Sequence, residues 1–186
     1  MVSIFSLWIP ILLSAVIVFV ASSLVHMLFR YHAKDFHKLP DEGMVADALR
    51  KSNVAAGQYM LPYAETPREA RSAEFRQKLE KGPGAMLTVW PAGRPSMVSN
   101  LVQWFVYSIV IGIFAAYVAT RALGPEAHYL EVFRFVGFTA FVCYTVAGWQ
   151  DSIWFRRSWG TTIRNTLDGL IYALLTAGTF GWLWPR

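Results

Sequence analysis

Long apolar runs alternate with polar joints along the chain, and the pattern occurs four times. Residues 4–29 carry no charge, and 101–120 has Gln103 as its strongest polar member. Residues 132–150 hold Arg134 near one end, and 165–184 contain a single acid, Asp168. Crossing the hydrocarbon of a bilayer takes roughly 17–25 mostly apolar residues in a helix. Because unpaired backbone is excluded from hydrocarbon, each run predicts a transmembrane helix. The expected fold class is an all-α integral membrane protein, a four-helix bundle with four transmembrane helices. An insertion of about 70 residues, 30–100, separates the first span from the second. A cleaved signal peptide would need a basic start and an apolar core of roughly 7–15 residues. Since Arg30 is the first Lys or Arg, the first run reads as a true span.

Periodicity changes inside the insertion. Thr66 as N-cap, Pro67 in the first turn and Glu69 three residues past Thr66 spell a capping box, and Gly82, Pro83 and Gly84 stop the helix. The spacing predicts a surface helix over 67–81, supported by Glu74 and Lys78 four apart. A shorter helix near 44–52 has Asp41 as its cap, and "VWPAGRPS" predicts an extended approach to the second span.

Composition strengthens the membrane reading. Hydrophobic residues make up 55% and charged residues 16%, against an ordinary ~25% charged. The net charge of +5 does not indicate nucleic acid, because the basic residues flank apolar runs instead of clustering beside aromatic side chains. Eleven Lys and Arg lie between Arg30 and Arg94, and Arg156, Arg157 and Arg164 follow the third span. Only Arg121, Arg134 and Arg186 fall on the other side. The positive-inside tendency then places the insertion in the cytoplasm and both termini outside an inner (plasma) membrane. Trp8, Trp182 and Trp184 would anchor the outer interface, and Trp90, Trp104, Trp149, Trp154 and Trp159 the inner one. One cysteine, Cys143, excludes a disulfide framework or a thiolate metal site within the chain.

Two spans carry small residues every fourth position: Ser108, Gly112, Ala116 and Thr120 in the second, and Gly169, Ala173, Ala177 and Gly181 in the fourth. Such rows let backbones approach closely. They serve packing within the bundle or a docking face for another subunit or a second copy. Expected partners are the lipid bilayer and other membrane subunits.

Candidate chemistry gathers at the end of the first span. "VHMLFRYHAKDFHKLPDE", residues 25–42, holds three of the four histidines. On a continuing helix His26 and His37 would share a face about 16 Å apart, with His32 turned about 120° away. No pair has metal-ligand spacing, so no metal is expected. A tetrapyrrole on His26 is the one cofactor reading left. Ser22, His26 and Arg30 form a polar stripe, which meets Gln103, Gln150, Asp151, Arg164 and Asp168 at the same expected depth. Ionisable groups in a span mark a pathway, a site or an interhelical lock. Arg164 four residues before Asp168, and Arg156 and Arg157 near Asp151, supply the structural alternative. No HExxH, GxSxG or phosphate-loop motif accompanies them. The leading expectation is an accessory or scaffold subunit of a larger membrane complex. The alternative is a transporter or lipid-directed membrane enzyme using the polar cluster, and cofactor or pigment binding at His26 comes third.

Overall fold

A computed structural model describes residues 2–93 and 95–185, without the Arg30 side chain, so the roles expected of Arg30, Arg94 and Arg186 lie outside the described residues. The chain divides into two compact units, Met1–Phe36 with Ser96–Arg186, and His37–Pro95.

The first unit is built from long helices. A 3-10 turn at Ile4–Leu7 leads into α1, Trp8–Leu28, with Pro10 in its opening turn, where a missing amide proton is tolerated. Helix α5 spans Met97–Ala122 and α6 spans Tyr129–Thr145. A 3-10 turn at Val146–Gly148 joins α6 to the short α7, Trp149–Trp154, and α8 runs Trp159–Trp182. The four long helices run alternately up and down. At one end Trp184 donates to the Gly124 carbonyl at 3.0 Å and Glu126 N–H to the Pro185 carbonyl at 3.1 Å. At the other, Trp104 donates from α5 to Ser22 Oγ on α1 at 2.9 Å. Trp184 is therefore packed inside, 5% exposed, and Trp104 bridges two helices, so neither is a simple interfacial anchor.

Among the described residues, three helical segments are long and apolar enough to cross a membrane: Ile4–Leu28, Met97–Ala122 and Tyr129–Trp154. On α1 the buried residues, Ile11, Ser14, Ala15, Val18, Ser22 and Val25, recur at helical spacing. The opposite face exposes Ile9, Leu12, Val16, Val20 and Leu24. A helix apolar on its exposed face needs an apolar surrounding. Helix α8 has the length but a lower mean hydropathy, because Asp168 and several threonines interrupt it. Those polar residues, Thr161, Thr162, Asp168, Thr176 and Thr179, are buried, whereas Ile163, Leu167, Leu170, Ile171 and Leu174 are exposed. The helix is thus polar inward and apolar outward, a distinction that an average over the helix erases.

Both small-residue rows are used within this unit. A Cβ on Gly112 would lie 3.3 Å from Ile11 on α1. One on Gly169 would lie 2.3 Å from Thr145 Cγ2, and one on Gly181 2.7 Å from the Tyr129 ring, both on α6. Ser108, Ala116, Ala173 and Ala177 are all buried. The Trp184 end is sealed by an apolar cluster that includes Leu7, Ile11, Ala119, Val132, Val136, Ala177 and Phe180.

The second unit departs from the all-helical expectation. Helix α2, Glu42–Lys51, is capped by Asp41, which accepts from Met44 N–H at 2.9 Å. Strands β1, Gly57–Leu61, and β2, Ala85–Val89, pair antiparallel with Tyr59 opposite Leu87. The helix expected over 67–81 is two helices, α3 at Pro67–Ala70 and α4 at Ala73–Lys81. Thr66 caps α3, while Ser72 interrupts the run and caps α4 by accepting from Phe75 N–H at 3.0 Å. Glu69 reaches back to Glu65 N–H, one residue before the amide that a capping box uses. Gly82, at φ +54°, closes α4 in a conformation that favours glycine. No described residue in 37–95 is fully buried.

Candidate functional site

Helix α1 stops at Leu28 because Phe29 turns extended, at φ −90° and ψ 97°. A 3-10 turn over Arg30–Lys34 follows. The turn cancels the 120° offset that a continuing helix would give His32. Its ring folds back parallel to that of His26, with centroids 4.8 Å apart and planes 5° from parallel.

His32 lies between two carboxylates. Nδ1 is 2.6 Å from Asp35 Oδ2, and Nε2 is 2.7 Å from Asp168 Oδ2 on α8. Asp35 is held in turn by α8: Arg164 Nε donates to its Oδ1 at 2.8 Å, Arg164 Nη2 donates to the same atom, and Thr161 donates to it at 3.1 Å. Its side chain is 8% exposed. Burial raises the Asp35 carboxyl, but the hydrogen bonds from His32, Arg164 and Thr161 and the Arg164 charge outweigh it, leaving the group below the ordinary 3.8.

On the inner side of His32, Asp168 Oδ1 is buried without a hydrogen-bond partner among the described residues, as is the Tyr172 hydroxyl one turn further along α8. Tyr172 packs edge-on to Trp104 and Tyr144, with centroids 5.8 and 5.6 Å away, so an aromatic floor closes the cluster. On the outer side His26 is exposed, with Nδ1 2.9 Å from the Ser22 carbonyl. Exposed Met27, Leu28 and Phe29 follow it, so the mouth of the cluster opens onto an apolar surface.

Of the residues singled out in the sequence, His26, Arg164 and Asp168 meet here. Arg164 turns to Asp35 rather than to Asp168, its neighbour four residues on, because the 3-10 turn places a carboxylate within its reach. Gln103 is exposed and donates to Ser99 Oγ on its own helix at 3.0 Å. Gln150 is exposed, and Asp151 pairs with Arg157 at 3.2 Å. His32, Asp35 and Thr161 are central residues that sequence reasoning missed. His32 and Asp35 were legible only as a His-x-x-Asp pair at a span exit, a weak signal until the turn is known. No family model matches the chain, and neither a curated protein nor a solved structure matches it.

Proposed function

We propose that the chain is a lipid-directed membrane enzyme with four spans, both termini outside and the 30–100 insertion in the cytoplasm. Its polar cluster works at the depth of the inner-leaflet headgroups. The observation that carries this is the largely buried Asp35–His32–Asp168 chain, with a carboxylate oxygen at its inner end that has no partner among the described residues and a mouth lined by apolar side chains. Asp168 is an ionisable group buried inside the fourth expected span, and such groups are costly to keep and mark functional positions. His26, His32 and Asp168 face the substrate in this reading, while Asp35, Thr161 and Arg164 hold His32. The outward apolar face of α8 supports counting it as the fourth span. The apolar seal at the Trp184 end favours chemistry at one leaflet over transport across the bilayer. Mass spectrometry of lipids in vesicles carrying the purified protein tests the reading. A lipid species should change with time in wild type and not in Asp168→Asn; no change in wild type overturns it.

An accessory role in a larger complex stays as the second reading. It is favoured by the second unit, which buries no described residue fully and exposes Tyr59, Met60, Leu61, Tyr63 and Met86. The occupied small-residue rows count against docking through the spans. Copurification of a stoichiometric partner, lost when these side chains become polar, would favour it.

A further inference from the structure

We infer that His26, His32 and Asp168 bind one divalent first-row transition-metal ion, of the zinc or ferrous class, with open coordination positions toward the apolar mouth. The inference deepens the reading above and rests on it only for the site's use. The ligand atoms of the three residues lie within 4.8 Å of one another.

The hydrogen bonds of the two rings point the same way. His26 Nδ1 faces the Ser22 carbonyl at 2.9 Å, and His32 Nδ1 faces Asp35 at 2.6 Å. Both acceptors are oxygens, so each Nδ1 carries a hydrogen, and in the neutral form of either ring Nε2 presents a lone pair. A carbonyl or carboxylate on the far nitrogen is the arrangement that orients histidine ligands on metals.

The His32–Asp168 contact carries the argument further. With its hydrogen on Nδ1, His32 places a lone pair 2.7 Å from Asp168 Oδ2, which is also an acceptor. Two acceptors at that distance need a positive centre between them, either a proton or a cation. Two further features favour the cation. Asp168 Oδ1, on a side chain 5% exposed, is a second carboxylate oxygen without a partner among the described residues. The parallel His26 ring supplies a third donor that a shared proton would not use. Two imidazoles and one carboxylate suit zinc with a vacant position, or the three-ligand face of ferrous sites. Ligands at about 2.0–2.1 Å from a tetrahedral ion lie about 3.3 Å apart. His32 and Asp168, now 2.7 Å apart, would open by about 0.6 Å, and His26, exposed in the last turn of α1, would close in.

The test uses the full-length protein in detergent, stripped with a chelator and titrated with Zn²⁺ and with Co²⁺. One ion per chain is expected, with visible Co²⁺ absorption of a four- or five-coordinate nitrogen–oxygen site; that spectrum needs no variant to fold. His26→Ala, His32→Ala and Asp168→Asn should each weaken binding at least about 100-fold, and Asp35→Asn, which removes a positioning carboxylate, about 10–100-fold. His37→Ala should leave it unchanged. Absence of stoichiometric binding, or binding indifferent to Asp168→Asn and His26→Ala, overturns the inference. Absence of stoichiometric binding in protein that still turns over lipid overturns the inference while leaving the enzyme reading intact. Metal binding without turnover upholds the inference and removes the enzyme reading.

Discussion

Asp35 receives donors from His32, Thr161 and Arg164, and together they hold its carboxyl below 3.8 despite burial. A depressed folded value means that its contribution is complete above the ordinary aspartate value and is lost as pH falls through the depressed one. In chelator-treated protein, wild type should exceed Asp35→Asn by about 1.5–3 kcal/mol at pH 7, the range for hydrogen bonds to charged groups. Melting curves in detergent at falling pH should show that advantage fading below 3.8. An advantage that stays constant to pH 2 would rule out the ion-pair account. At Tyr172 the expectation is opposite. Its buried hydroxyl has no partner among the described residues, so Tyr172→Phe should be neutral or stabilising, within about 1 kcal/mol. A larger loss in the same melts would reveal a partner. The sequence showed that His26 and Asp168 were polar groups in apolar runs. That His32 joins them was hidden, because its direction depends on a backbone break at Phe29 that no capping residue or proline announces.

Between elements, close approach of α6 and α8 is set by glycine. Adding one methyl at Gly169 or Gly181 would meet Thr145 Cγ2 at 2.3 Å or the Tyr129 ring at 2.7 Å. Gly169→Ala and Gly181→Ala should each cost about 1–3 kcal/mol, as overpacking does. Gly160→Ala, whose nearest contact would be 3.5 Å, should stay within about 0.5 kcal/mol. Equal melting shifts for all three would show that the rows do not set the helix spacing. The four-residue period was readable because helix geometry alone puts those positions on one face. Their partner helix was not, since a row of small residues fits any close neighbour. The strands were missed for a related reason. Five-residue apolar segments are ambiguous alone, and β1 meets β2 only after residues 62–84 intervene. The caps at Asp41 and Thr66 were local and legible, whereas Ser72 acts as a second cap inside a segment that periodicity reads as one helix.

For the whole molecule, the alternating helix directions and the asymmetry of basic residues make orientation testable. With Cys143 replaced, single cysteines at Ser52 and Arg157 should resist a membrane-impermeant thiol reagent applied to intact cells. Cysteines at Pro125 and Leu183 should react. Labelling at Pro125 but not at Leu183 would remove α8 from the spans and leave three. Composition and run length sufficed to expect an apolar surrounding and four spans, and three of those runs are helices long and apolar enough to cross a membrane, because that measure depends on local chain content. They also supplied the surface caps, which are made by neighbours in sequence. Only the tertiary structure decided that α8 turns its polar residues inward and that Asp35, His32 and Asp168 form one connected chain. The physical reason is that a short break after α1 and a close approach to α8 determine which side chains meet, and neither leaves a periodic trace in the residues themselves.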